Sequence, residues 1–135
     1  MTHHLLPVFA ELRAMLESHS AGFAVQQTKG KSYVISGPVG PATIQVWKGE
    51  VRSRSIPVAS VTIQKNYVSF HLMPVYGDPS LLKGASEGLI NRMQGKSCFN
   101  FAKVDTDLFK ELSTLTQKSI AAFVKRGFVI AQSGG

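Results

Sequence analysis

The sequence predicts an α+β domain, and three observations carry that prediction. Residues 58–76, V-A-S-V-T-I-Q-K-N-Y-V-S-F-H-L-M-P-V-Y, alternate apolar and polar, turn, and alternate again, the period of a strand pair. Amphipathic helical stripes stand at both ends of the chain. Between them lie shorter strand-like runs bounded by glycine and proline.

The central hairpin is the most sharply specified element. Lys65-Asn66 reads as a two-residue turn, because Asn tolerates the positive φ that tight hairpins demand. Gln64 then faces Tyr67, Thr62 faces Ser69 and Ser60 faces His71. On the opposite side Ile63 meets Val68, Val61 meets Phe70 and Ala59 meets Leu72. A one-residue slip would mix the polar and apolar sets, so the register is well fixed.

Taken in order, residues 5–19 form a helix with the stripe Leu5, Val8, Phe9, Leu12, Met15, Leu16, and Pro7 fits its first turn. Residues 23–28 and 32–36 are two strands around Lys29-Gly30. G-P-V-G-P, residues 37–41, is a stiff loop that no strand is expected to cross. Residues 43–47 read as a third strand, and residues 49–57 as an exposed connection carrying Arg52 and Arg54. Pro74 ends the central ladder, and Asp78-Pro79 starts a turn. Leu81 and Leu82 suggest a helical turn stopped by Gly84. Ser86 caps a short helix through Met93 with Leu89, Ile90 and Met93 inward, and Gly95 ends it. Residues 97–101, S-C-F-N-F, are another strand. Asp105 or Thr106 caps a long helix to about Arg126, its stripe interrupted by a polar step at residues 116–119. Lys125 and Arg126 complement the helix dipole, Gly127 stops the helix, and the Ser-Gly-Gly tail frays.

Composition narrows the class. At 135 residues and 14.6 kDa the chain reads as one domain over residues 1–135, large enough to bury on the order of two-thirds of its unfolded surface. Hydrophobic residues at 44% against 17% charged favour a packed core over disorder. No apolar run approaches the ~20 residues of a membrane helix. The start, Met1-Thr-His-His, lacks the pattern of a secretory signal, and the single cysteine, Cys98, cannot form an internal disulfide. A soluble cytosolic protein without a membrane partner is expected. The net charge of +7 invites anions, but the basic residues are scattered and reach no run of five or six. Without a reading motif this charge is weak evidence for nucleic acid, which is not the expected partner.

K-N-Y-V-S-F-H-L-M-P-V-Y (65–76), followed by L-I-N-R-M-Q-G-K-S-C-F-N-F (89–101), resembles the YdhG-like family of uncharacterised bacterial domains. The resemblance covers the C-terminal half well and the first half loosely. It implies a two-layer α+β sandwich, a curved antiparallel sheet of about five or six strands with N- and C-terminal helices packed on it. Some members are described as frataxin-like iron chaperones. An iron platform needs several carboxylates on one face. Here the first helix offers Glu11 and Glu17, and the remaining acidic residues are dispersed.

The side chains singled out for ligand binding are Ser69, His71, Tyr76, Arg92, Lys96 and Cys98. His71 shares its strand face with Tyr67, Ser69 and Met73, and is expected in a polar cluster beneath residues 81–93. The ordinary reading of His71 is a half-buried histidine bonded to a neighbouring hydroxyl or carbonyl. Cys98 reads first as a small buried hydrophobe, and gains chemical interest only if it and Asn100 share the face of His71. G-K-S at residues 95–97 lacks the first glycine of a phosphate loop. Trp47, Tyr67 and Tyr76 could stack a planar ligand or serve as core and rim. His3 and His4 are weak metal signals, and no zinc or serine-hydrolase motif occurs. The expected function is a non-enzymatic binding domain for a small anionic or planar molecule, or a protein, without metal or cofactor. An iron chaperone and a nucleic-acid module are the alternatives. An exposed edge strand makes a homodimer a further expectation.

Overall fold

A computed structural model describes residues 3–132 of the chain. The expectations for the first two residues and for the Ser-Gly-Gly tail lie outside that range. Six antiparallel strands form one sheet: β1 (Ala24–Thr28), β2 (Ser32–Pro38), β3 (Ser55–Ile63), β4 (Val68–Leu72), β5 (Met93–Gln94) and β6 (Cys98–Phe101), in the order β1-β2-β3-β4-β6-β5. Helices α1 (Leu6–Glu17) and α5 (Thr106–Lys125) pack on one face of it. Three short helices, α2 (Pro41–Val46), α3 (Met73–Gly77) and α4 (Glu87–Ile90), join the strands. Among the described residues no helix is long and apolar enough to cross a membrane.

The central hairpin has the register that alternation dictates. Ala59, Ser60, Val61, Thr62 and Ile63 pair with Leu72, His71, Phe70, Ser69 and Val68. The Gln64 N–H closes the turn onto the Tyr67 carbonyl at 2.8 Å. Its backbone differs from expectation: among the described residues Lys48 is the one non-glycine with positive φ, so Asn66 turns the chain without it. Val61, Phe70 and Phe99 are fully buried in one core cluster with Leu12 and Leu16 of α1 and Leu112 of α5. Burying a side chain of this kind is worth about 1.5–3 kcal/mol. Phe101 meets Phe109 of α5 edge to face at 4.9 Å, tying the last strand to the last helix.

Capping follows the sequence. Asp105 accepts the Leu108 N–H at 3.1 Å and opens α5, and Ser86 accepts the Leu89 N–H at 3.2 Å and opens α4. The polar step of α5 behaves differently from the reading above. Thr116 and Ser119 are fully buried, the Thr116 hydroxyl donating to the Leu112 carbonyl at 2.8 Å. Ile90 is 39% exposed rather than inward, because α4 ends there and Met93 enters β5 instead.

One refinement and one correction concern residues 37–47. No strand crosses the whole G-P-V-G-P segment, but β2 runs two residues into it: Gly37 and Pro38 pair with Ile56 and Ser55 beyond a bulge at Ile35/Ser36, and the strand ends at Pro38. Pro38 has no N–H to give, but its carbonyl accepts from Ile130 at 2.9 Å. Gly37 is needed because a Cβ there would stand 2.9 Å from the Val129 side chain. Residues 43–47 form most of helix α2 rather than a strand. Gly40 and Pro41 start it, and a Schellman ending stops it, with Gly49 N–H on the Ile44 carbonyl and Lys48 N–H on Gln45, both 2.9 Å. Tertiary bonds outweigh the β-branched composition, since the Thr43 hydroxyl donates to the Phe128 carbonyl at 2.7 Å.

Candidate functional site

The residues proposed from the sequence separate into three places. Ser69, His71 and Cys98 lie on the sheet face opposite Phe70, together with Ser60, Thr62 and Asn100, all half-buried. His71 pairs with Ser60 on one side and Cys98 on the other, so the cysteine shares its face with the histidine rather than joining the core. Asn100 donates to Gln94 at 2.8 Å on the same face. Burial pushes the His71 imidazole below its ordinary value, keeping it neutral near pH 7. Residues 81–93 do not roof this face. They pack on α5, where Leu81 and Leu89 join the core and Ser86 donates its N–H to Glu111 at 2.7 Å. Arg92 is exposed beside β5, its carbonyl accepting the Asn100 N–H.

Tyr76 and Lys96 meet elsewhere, with the Lys96 ammonium 5.7 Å from the centre of the Tyr76 ring. The turn between β5 and β6 holds Lys96 there, because the Leu72 N–H donates to the Ser97 carbonyl at 2.9 Å. Tyr76 is also one wall of a cleft of about 560 Å³ at the end of the sheet. Four segments far apart in sequence build it: α2, the start of β3, α3, and the end of α5 with Phe128. Trp47, Tyr76, Phe123 and Phe128 supply the aromatic surface, and Phe123 and Phe128 stack at 5.4 Å. Val46 and Tyr76 are 67% and 58% exposed.

The ionised groups lining the cleft are Asp78 and Arg126, which form an ion pair. Asp78 also accepts from the N–H of Ser80 at 3.2 Å and from its hydroxyl. The Ser80 hydroxyl above all, then Arg126, holds the Asp78 carboxyl below its usual range against a partial desolvation that opposes them. The cleft can therefore accept a planar apolar body and present charge at its edge.

Sequence reasoning signalled Trp47 and Tyr76 as aromatic surface but missed Val46, Met73, Phe123, Arg126 and Phe128, which only the tertiary fold brings together. Among the described residues no three of His, Cys, Asp and Glu stand close enough to share a metal ion. Comparisons of the chain with protein-family models, with curated proteins and with solved structures find no match.

Proposed function

We propose that this chain is a cytosolic, non-enzymatic binding protein that takes a small planar molecule into the cleft between α2 and α3. The observation carrying the reading is an aromatic-walled cleft of about 560 Å³, within the ~300–1,000 Å³ usual for small-ligand sites. Asp78 is already engaged by Ser80 and Arg126, which supports binding over proton transfer. The single cysteine supports the compartment. YdhG-like membership belongs to the same proposal, supported by the wording of residues 65–76 and 89–101 and by terminal helices on an antiparallel sheet.

Trp47 is the chain's one tryptophan, so its emission reports the site directly. A panel of one- to three-ring aromatic compounds, charged and neutral, should contain members that raise the melting temperature and saturably shift Trp47 emission. Val46→Arg should abolish both effects without unfolding the chain, since Val46 is largely exposed. A panel that moves neither signal defeats the reading. The exposure of Val46 and Tyr76 favours one second occupant, an aromatic side chain from a partner protein.

A further inference from the structure

We infer that the cleft selects an anion, a small aromatic carboxylate whose ring lies against Trp47 and whose carboxylate is held by Arg126. This rests on the binding reading above and adds the chemical class of the ligand. Arg126 ends α5, with its side chain 53% exposed and lining the cleft. Among the described residues only its Nη1 is engaged, on Asp78. A guanidinium has five N–H donors in a planar fork, and the remaining donors match the two oxygens of a carboxylate.

Charge at the mouth points the same way. Asp78 and Arg126 cancel, and Asp78 is tied to Ser80, so it orients the guanidinium. Lys96 is not among the lining residues, but its ammonium stands 5.7 Å from the centre of the Tyr76 ring that forms one wall. A neutral hydrocarbon ring would leave the Arg126 donors to water. The apolar walls favour a ring over a bare inorganic anion, because such an ion offers Trp47, Phe123 and Phe128 nothing to cover.

Isothermal titration of the full chain with 3-phenylpropanoate and 3-phenylpropanamide, matched in shape and differing in charge, tests the assignment. The acid should bind about tenfold more tightly than the amide at low salt, and added salt should narrow the gap. Arg126→Met, which keeps an apolar stem, should abolish the preference for the acid over the amide. Arg126→Lys should recover only part of the preference, having charge without the fork. Asp78→Asn should tighten the acid alone. Equal wild-type affinities overturn anion selection and leave the cleft standing, since amide binding still reports it. Failure of both ligands to bind overturns the cleft reading too. An acid preference that survives Arg126→Met, in a variant with an unchanged urea midpoint, overturns Arg126 as the receptor.

Discussion

Replacing Gly40 with alanine should detach the wall of the cleft that carries Trp47. Gly40 has φ −89° and ψ 167°, ordinary for any residue, so its glycine serves no unusual backbone angle. Its reason is contact: a Cβ there would stand 2.1 Å from the Gly127 carbonyl oxygen and 2.7 Å from its carbon. Both atoms are backbone, and no rotamer change can relieve the overlap. The chain segments must separate by about 1 Å to restore ordinary contact. That separation breaks the bonds from Gly40 N–H to Phe128 and from Ala42 N–H to Gly127, both 2.9 Å, and from the Thr43 hydroxyl to Phe128 at 2.7 Å. At about 0.5–1.5 kcal/mol each, the loss is about 2–4 kcal/mol. Urea unfolding followed by circular dichroism measures it, and Trp47 emission should shift to the red as α2 moves into water. Gly77→Ala is the control, because a Cβ at Gly77 meets nothing within 4 Å; its effect should stay within about 1 kcal/mol. An alanine at Gly40 that leaves both the urea midpoint and the emission unchanged would refute the close approach of α2 to the end of α5.

Ser119 is fully buried and its hydroxyl has no partner among the described residues, so Ser119→Ala should be neutral or stabilising by up to about 1 kcal/mol; a clear loss of stability by calorimetry would show a partner hydroxyl or carbonyl in solution. Burial holds both His71 and His19 below their ordinary value, so the unfolded chain takes up protons first as pH falls below about 6.5. Stability should be level above that pH and decline beneath it, through the folded values, with His71→Asn shrinking the decline. Urea midpoints that stay flat or rise between about pH 7 and pH 5 would contradict this. Asp78, held low by Ser80 and Arg126, should add a separate loss at more acid pH, below the ordinary carboxylate range, that Asp78→Asn removes.

The central hairpin was legible because its information is local. Alternation on both arms admits one register around Lys65-Asn66, and every pair from Ala59–Leu72 to Ile63–Val68 follows from it. The caps Ser86 and Asp105 were legible for the same reason. Helix α2 was not. Its Thr-Ile-Gln-Val-Trp composition suits a strand, and what makes it helical is Gly40-Pro41 behind it and the carbonyls of Gly127 and Phe128 beside it, some 85 residues away in the chain. Gly37-Pro38 read as the start of a loop, but a bulge and the returning Val129–Ile130 segment let the strand run on as far as Pro38. The cleft draws on four distant segments, so no window of sequence contains it. Its traces were single aromatic residues, Trp47 and Tyr76, each with an equally good place in a core. Whether Cys98 faces His71 required the β4–β6 pairing, which the sequence pattern leaves free.

The account turns on where a ligand sits, at the aromatic end of the sheet or on the polar face around His71. Amide-resolved NMR titration with 3-phenylpropanoate decides it directly. Saturating shifts should appear at the Trp47 indole N–H and at the backbone amides of Met73, Tyr76 and Arg126, and leave Ser69, His71 and Cys98 in place. Shifts confined to Ser69, His71 and Cys98, with Trp47 unmoved, would contradict it.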